Sequence, residues 1–238
     1  MQVTFTNDWI NDTKMTIPDT IAIDGPAASG KTTLACNLAR ELNFICLDTG
    51  IMYRAVTCVV LKKKVDPLDE QGVTRLAQEM QIEIAAPTLA DGRAFDFLVN
   101  GEDITGELRK PEVEAYVSQV SAYPGVRQAM TRQQRRIGQR GKIIMVGRDI
   151  GTVVMPDADL KIYLVASLEE RTRRRYEERI QRGEEVSLDE VRRGLERRDQ
   201  IDSTRQAAPL KPADDAVVID SDGLSIEEVL SAARKLIR

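Results

Sequence analysis

The chain has 238 residues, of which 42% are hydrophobic and 30% charged, as expected for a folded protein that can bury a core. Its net charge of −4 gives no overall bias towards nucleic acid or an anionic membrane, and no apolar run reaches the roughly 18 residues that cross a bilayer. Histidine is absent, which excludes Ser-His-Asp triads, imidazole metal sites and histidine bases. Phosphoryl transfer needs none of these, because it depends mostly on positioning and charge neutralisation.

The predicted elements begin after a polar stretch, residues 1–16, which we interpret as a flexible extension before a domain at 17–238. The stretch lacks the basic start and apolar centre of a signal peptide. Beyond it, short apolar runs alternate with segments of helical periodicity, the pattern of βαβ units around a parallel sheet. The predicted strands of that sheet are 21–24, 44–47, 142–146, 160–165 and 216–219. The predicted helices are 30–42, 51–62, 111–122 and 124–140.

A glycine-rich segment, GPAASGKTT, lies between the first predicted strand and helix and fits the P-loop pattern GxxxxGK[ST]. Its glycines let backbone N–H groups converge on phosphate oxygens at a helix N-terminus. Lys31 is expected to reach the β- and γ-phosphates, and the Thr32 hydroxyl to help hold Mg²⁺. The residues predicted to bind ATP are Gly25, Pro26, Ala27, Ala28, Ser29, Gly30, Lys31, Thr32 and Thr33.

Two segments interrupt the strand–helix alternation. Residues 81–104 contain short apolar runs separated by turn residues, which predicts a small antiparallel insert. Residues 167–202 are rich in arginine and glutamate in balanced numbers, which is typical of a solvated helical face, and Gly183 suits a turn within them. These boundaries leave a core of 17–80, 105–166 and 203–238. Capping boxes, a serine followed three residues later by glutamate, predict helix starts at Ser167, Ser187 and Ser225.

Three further motifs carry polar residues near predicted strand ends or helices: LDTGIMYR at 47–54, GRDIGTVVMPDA at 147–158 and RRDQIDSTRQAAPL at 197–210. Ligands bind at the carboxyl edge of a parallel sheet, so Thr49 and Arg54 suit a phosphate held opposite the P-loop. The same segment is equally compatible with a helix cap and a solvated arginine.

Together with the P-loop, these motifs resemble the bacterial cytidylate kinase family, the (d)CMP kinases, from about Thr20 to the C-terminus. The resemblance implies an α/β, three-layer P-loop fold with a five-stranded parallel sheet, an antiparallel β insert and a helical lid, the lid at about 167–202 with its turn at Gly183. It implies transfer of the γ-phosphoryl group of ATP to CMP or dCMP with Mg²⁺. We expect a cytoplasmic monomer whose partners are these small molecules, and neither nucleic acid nor a membrane.

The family's functional positions carry over residue by residue. The implied substrate-binding residues are Thr49, Arg54 and Arg148 around the CMP phosphate, Ser118, Arg127 and Asp149 at the cytosine ring, and Arg198, Asp202 and Arg205 near the sugar and phosphate. The implied catalytic residues are Lys31, Arg148, Arg205 and Arg174. Arg174 shares a helix face with Arg171 and Arg175, and we expect at least one of the three to close over the ATP phosphates.

One position departs from the family pattern. An acidic residue usually stands directly before GRD, and here that residue is Val146. A pyrimidine nucleoside monophosphate kinase with relaxed base preference is therefore an alternative. From a different class, a P-loop nucleotide-binding regulator with little turnover also fits the P-loop, although such a switch needs no second phosphate site.

Overall fold

A computed structural model of the chain describes residues 17–85, 88–90 and 95–237. The predicted extension at 1–16 and the predicted turn at 91–92 lie outside the described residues. The eight strands of the described part are β1 Thr20–Asp24, β2 Ile45–Asp48, β3 Ile82–Ala85, β4 Asp96–Val99, β5 Glu102–Asp103, β6 Ile143–Val146, β7 Leu160–Val165 and β8 Val217–Asp220. Its eight α-helices are α1 Lys31–Leu42, α2 Gly50–Lys62, α3 Glu70–Glu79, α4 Pro111–Ala122, α5 Pro124–Gly138, α6 Leu168–Gln181, α7 Leu188–Thr204 and α8 Ile226–Arg234.

The central sheet has five parallel strands in the order β2-β6-β1-β7-β8, which confirms the predicted sheet. Its apolar residues alternate between two faces, as the period of a strand requires. Ile23 and Ile162 pack on one face with α1 and α8, whereas Met145 on the other face packs with Ile137 of α5. Helices therefore cover both faces, and the α/β three-layer architecture is confirmed.

Strand and helix bounds differ from the predictions by only one or two residues, with local physical causes. The second strand begins at Ile45, because Asn43 is left-handed at φ 55° and the Phe44 N–H still bonds the Ala39 carbonyl of α1. One helix, α3, was not predicted at all. It starts where the Asp69 side chain accepts a hydrogen bond from the Gly72 N–H at 3.1 Å.

The predicted insert is confirmed as a three-stranded antiparallel sheet, β3-β4-β5. Phe97 of β4 is fully buried in the apolar cluster that also contains Met52 of α2 and Val126 of α5. The insert therefore packs directly on the helices that follow β2.

The three predicted helix starts are confirmed, but only two of the predicted capping boxes are complete, at Ser187 and Ser225. At Ser167 the hydroxyl accepts from the Glu170 N–H, whereas the Ser167 N–H donates to Asp222 at 2.7 Å. The carboxylate of Glu170 is used by arginines of its own helix, so the reciprocal half of that box was predicted wrongly. Gly183, at φ +76°, lies in the turn between α6 and α7 as expected.

Among the described residues, none of the helices combines the length and the apolar composition that a bilayer crossing needs.

Candidate functional site

The P-loop motif forms the turn from β1 to α1, and its backbone conformation requires glycine. At Gly25, φ is +146° and an added Cβ would lie 2.1 Å from the Leu164 carbonyl oxygen. Gly30 is at φ +93°, and Ala28 adopts the left-handed region at φ 61°. Alternating right- and left-handed residues make the concave backbone that binds phosphate oxygens. The loop leads directly into the N-terminus of α1, whose dipole favours an anion.

Lys31 is buried beneath this loop and folds back onto it. Its ammonium donates hydrogen bonds to the Pro26 carbonyl and to the Ser29 hydroxyl, the latter at 3.2 Å. Burial, and then the nearby Arg148 guanidinium, holds the pKa of Lys31 well below its usual range. An anion in the loop would reverse that shift by favouring the ammonium form. Lys31 is therefore suited to a phosphate.

Thr32 opens α1 with an exposed hydroxyl, which donates to the Asp48 carboxylate at 2.7 Å. The other oxygen of Asp48 accepts from the Gly50 N–H at 2.9 Å. Mg²⁺ in nucleotide sites uses one or two protein ligands together with phosphate oxygens and water, and a hydroxyl beside a carboxylate fits that need. No group of three or more Cys, Asp or Glu in the described parts of the chain forms a metal site by itself.

The arginines of α6 that were expected to reach ATP take three different positions. Arg171 is buried, bonds the Ala27 carbonyl at 3.3 Å and pairs with Asp199 of α7 at 2.7 Å. Arg174 approaches the Ser29 carbonyl at 3.4 Å. It also donates to the Ser221 carbonyl at 2.7 Å and pairs with Glu170, while Arg175 lines the cleft. Arg174 thus contacts the P-loop itself.

A buried ion-pair cluster lies beyond the end of β6, where the GRD motif leaves the sheet. Asp149 pairs with Arg127 of α5 and lies 3.6 Å from Arg205, which follows α7. Arg127 also stacks over the Tyr53 ring at 5.3 Å and donates to the Ser121 carbonyl at 3.1 Å. Three distant segments of the chain therefore converge on one carboxylate.

Asp202 is the second carboxylate of this cluster. Arg148 donates to it at 3.0 Å, and Arg205 and Arg198 lie at 3.4 and 3.9 Å. Burial alone would raise the pKa of Asp202, but the guanidinium groups of Arg148, Arg198 and Arg205 outweigh it and lower that pKa. Burial and the neighbouring Arg148 reduce the pKa of Arg198 to about 10.

The cluster carries more positive than negative charge. Four guanidinium groups, those of Arg127, Arg148, Arg198 and Arg205, face two carboxylates. Three of their N–H groups, on Arg127, Arg198 and Arg205, are buried and make no hydrogen bond to any described residue. Unsatisfied buried donors are costly, and a polar anionic ligand would satisfy them.

Arg54 reaches towards this cluster from α2 and pairs with Glu114 of α4. Burial works against ionisation of Glu114, but Arg54 and more distant arginines lower its pKa. Thr49 is buried, and its hydroxyl donates to the Val146 carbonyl at 2.8 Å. The Val146 side chain is buried at the cleft wall, where the resemblance leads one to expect an acid.

Ser118 is a predicted site residue whose side chain makes no hydrogen bond to the cluster among the described residues. It lies on α4, where its carbonyl accepts a hydrogen bond from the Ser121 hydroxyl at 3.0 Å.

Asp24, at the end of β1, is a site residue that the sequence reasoning missed. Its carboxylate accepts hydrogen bonds from the N–H groups of Ile150 and Gly151, at 2.9 and 2.8 Å, and thereby ties the GRD segment to the strand before the P-loop. Those two residues begin a short π-helical turn, Ile150–Val154. Burial raises the pKa of Asp24 to about 6, against the lowering effect of the two N–H groups. The signal for it was a carboxylate closing an otherwise apolar strand.

One open cleft of about 810 Å³ joins the two halves of the site. Its walls include the P-loop from Ala27 to Thr33, the acceptor-side residues Arg54, Arg148 and Arg198, and three arginines of α6, Arg173, Arg174 and Arg175. A phosphate loop and a group of guanidiniums thus face the same space.

Comparison with known proteins agrees with this arrangement. The family model described as Cytidylate kinase matches residues 21–238. A cytidylate kinase from Chloroflexus aggregans is 50% identical over 214 residues, 90% of this chain and 91% of the relative. Another, from Herpetosiphon aurantiacus, is 51% identical over 223 residues, 94% of this chain and 96% of the relative. A solved structure of an uncharacterized protein from Eubacterium ventriosum covers 92% of this chain and 97% of its own, with a TM-score of 0.50 at 10% identity, and supports the fold alone.

Proposed function

This chain belongs to the cytidylate kinase family, and we propose that it transfers the γ-phosphoryl group of ATP to CMP or dCMP, giving ADP and CDP or dCDP. The observation that carries the proposal is the buried cluster of four guanidiniums against two carboxylates, with unsatisfied N–H groups, beside a P-loop. A nucleotide-binding regulator would need the loop but not a second, net-cationic anion site.

On the donor side, residues 25–33 hold the ATP phosphates through backbone N–H groups, and Lys31 supplies the charge. Arg174 contacts the loop at Ser29 and lines the cleft, which supports assigning it to the γ-phosphate. Thr32 would hold Mg²⁺ through its hydroxyl, which Asp48 orients. When bound, the ion neutralises phosphate charge and helps to orient the transferred group.

On the acceptor side, Arg54 and Arg148 bind the phosphate of the monophosphate, since both line the cleft that the P-loop faces. Arg205 supports them from its position between Asp149 and Asp202. The planar fork of arginine binds two phosphate oxygens at once, which fixes the direction of the acceptor. Thr49 adds its hydroxyl at the end of β2.

Recognition of the cytosine and sugar falls to the deeper residues. Arg127 and Asp149 present a donor and an acceptor for the edge of the base, and Ser118 of α4 approaches it when α4 moves inwards. Arg198 and Asp202 take the sugar hydroxyl and the adjoining phosphate oxygens. These roles require ion pairs such as Arg127–Asp149 to open when the base enters.

The reaction needs no strong general base. A phosphate monoester is largely a dianion near neutral pH, so an oxygen of the acceptor attacks the γ-phosphorus without first losing a proton. The barrier is the repulsion between two anions, which Lys31, Arg148, Arg174 and Arg205 offset. Closure of α6 and α7 over the cleft also excludes water, a competing acceptor.

The decisive test is a panel of nucleoside monophosphates with ATP and Mg²⁺, followed through ADP release. We expect CMP and dCMP to accelerate ADP release strongly, and AMP and GMP to have no effect. Release that no monophosphate accelerates would support the regulator instead. Equal turnover of UMP and CMP would support the relaxed pyrimidine kinase, for which the buried, uncharged Val146 is the specific observation.

We further propose that the enzyme works in the cytoplasm and as a monomer. Light scattering coupled to gel filtration tests whether the enzyme is a monomer, and a measured mass of two chains would contradict it.

A further inference from the structure

Two of the three cysteines lie opposite each other beside the P-loop helix. Cys36 is on α1 and Cys46 on β2, and both are half-buried. The hydrogen bond between Thr32 and Asp48 fixes the register of these two elements at 2.7 Å. Cys36 lies one helical turn beyond Thr32, and Cys46 lies two residues before Asp48 on the same face of its strand.

The distance from Thr32 to Cys36 along α1 nearly equals the distance from Cys46 to Asp48 along β2. Four residues of helix advance about 6 Å, and two residues of strand about 6.6 Å. In a βαβ unit the helix runs antiparallel to the strands, so α1 leads away from the Thr32–Asp48 contact and β2 leads towards it. The two cysteines are therefore at the same height, and Cys46 packs against the apolar cluster that contains Ala35 and Leu38 of α1.

Their proximity makes the two thiols chemically unequal. The neighbouring Cys46 thiol lowers the pKa of Cys36 to about 7, and Arg40 acts in the same direction, against burial and Asp48. The neighbouring Cys36 sulfur and burial raise the pKa of Cys46. Cys58 is different, because it is buried on α2 beside Glu107, and burial raises its pKa to about 11. Thiolate is the reactive form, so Cys36 is the expected nucleophile and Cys58 a built-in control.

We propose that Cys36 and Cys46 form a dithiol site that reacts with hydroperoxides, closes to an intramolecular disulfide and slows phosphoryl transfer. In the first step the Cys36 thiolate attacks a peroxide oxygen, the O–O bond breaks, and the departing oxygen leaves as water or an alcohol after taking a proton. Cys36 is then a sulfenic acid. In the second step the Cys46 sulfur attacks the Cys36 sulfur, the S–O bond breaks, and hydroxide leaves with the Cys46 proton as water. The two thiols lose two electrons, which the peroxide gains.

The bond would tie α1 to β2 directly below the Thr32–Asp48 contact. The slower turnover rests on the proposed function, because Thr32 and Asp48 must adjust together when Thr32 takes up Mg²⁺, and a tether one turn away restricts that movement. Formation of the disulfide does not depend on that function, so an experiment can refute the disulfide and its effect on turnover independently.

The sequence makes the test simple, because trypsin separates the three cysteines into the peptides 32–40, 41–54 and 55–62. The full chain is treated with hydrogen peroxide, quenched with N-ethylmaleimide in denaturant, digested and analysed by mass spectrometry. We expect peptide 32–40 joined to 41–54 with the loss of two hydrogens, peptide 55–62 carrying maleimide, and recovery of free thiols after dithiothreitol. The oxidised chain should show lower turnover that the reductant restores.

Matched variants test the order of the steps. Cys46→Ser should stop at a sulfenic acid on Cys36 that dimedone traps, Cys36→Ser should leave Cys46 unreacted, and Cys58→Ser should cross-link like the parent. Recovery of all three peptides as maleimide adducts, or a cross-link between two copies of one peptide, would overturn the dithiol site. A complete cross-link with unchanged turnover would overturn its effect on the kinase.

Discussion

The two phosphate-binding regions of the cleft are built in opposite ways. The donor region is a short continuous loop made mainly of backbone, with Lys31 as the buried cation within it. The acceptor region is made of side chains from α2, α5, the GRD segment and α7, held together by ion pairs around Asp149 and Asp202. Both regions attract phosphate, but the backbone of the first already has its concave shape before any substrate arrives. The second must break contacts of its own to accept one.

This difference predicts how each region fails. Lys31 is the cation that the donor loop itself supplies, and the nearby Arg174 reaches the loop from another helix, whereas the acceptor cluster can redistribute charge among several guanidiniums of its own. Defects on the donor side should therefore be larger and confined to ATP. Defects on the acceptor side should be smaller and spread over binding and turnover.

The largest effect is expected from Lys31→Met. Loss of the buried charge beside the β- and γ-phosphates should reduce turnover by roughly a thousandfold, as for other lost charge-stabilising donors. Binding of CMP, measured by calorimetry, should stay unchanged because Lys31 belongs to the donor loop. Lys211→Met, at an exposed position, is the control and should behave like the parent. An equal loss of CMP affinity would break the proposed separation of the two regions.

Asp24 connects the two regions, and its effect is on stability. Its pKa is 3.8 when exposed and about 6 in the fold, so the folded chain binds the proton more tightly. Protonated Asp24 therefore adds up to about 3 kcal/mol to the free energy of unfolding. This contribution is fully present below about pH 4 and is lost as pH rises through 6. Asp24→Asn cannot titrate, so the unfolding free energy of the parent relative to this variant should fall over that range in urea titrations. A difference that does not vary with pH would refute the shifted pKa.

Arg148→Ala should cost roughly a hundredfold in turnover, because Arg148 both lines the cleft and holds Asp202. The change should appear with both CMP and dCMP, since neither sugar alters the phosphate. Arg197→Ala, exposed on α7, is the matched control in the same assay. A reduction below about threefold would remove Arg148 from the catalytic residues.

The smallest effect is expected from Glu114→Gln, which should improve binding of the acceptor where the other variants impair the enzyme. This carboxylate neutralises Arg54 in the ligand-free site and competes with the acceptor phosphate for it. Removing the charge should lower the KM for CMP by roughly fivefold, about 1 kcal/mol, and leave kcat nearly unchanged. Glu112→Gln, exposed on the same helix, controls for the loss of one negative charge. A raised KM would show that Glu114 positions Arg54 instead of competing for it.

The same contrast explains what could be predicted from the sequence. The donor loop and the five strands were predictable because their signals are local: glycine spacing, apolar runs and serine caps. Helix α3 was missed because its cap, Asp69, is followed by Gly72 where a capping box would have glutamate. Its buried face, Val73 and Ala77, is also short.

Beyond Thr49 and Arg54, the acceptor region could be proposed only through the family resemblance, since no local pattern tells which arginine faces which carboxylate. The pairing of Arg127 with Asp149 joins α5 to the GRD segment, and Asp202 joins that segment to α7. Glu114 lies on an ordinary half-buried helix face, so its contact with Arg54 became visible only in the fold. Long-range pairs of this kind depend on the packing of whole helices, which a single sequence does not reveal.

The position of β1 in the sheet has a consequence for how the chain is made. This strand leaves the ribosome early, yet its two neighbours begin at Ile143 and Leu160. Strand β1 therefore has no strand to pair with, and its edges stay exposed, until well over half of the chain has been synthesised. We expect nascent chains that end before β6 to be held by chaperones and cut readily by proteases, and those that extend past β7 to become resistant.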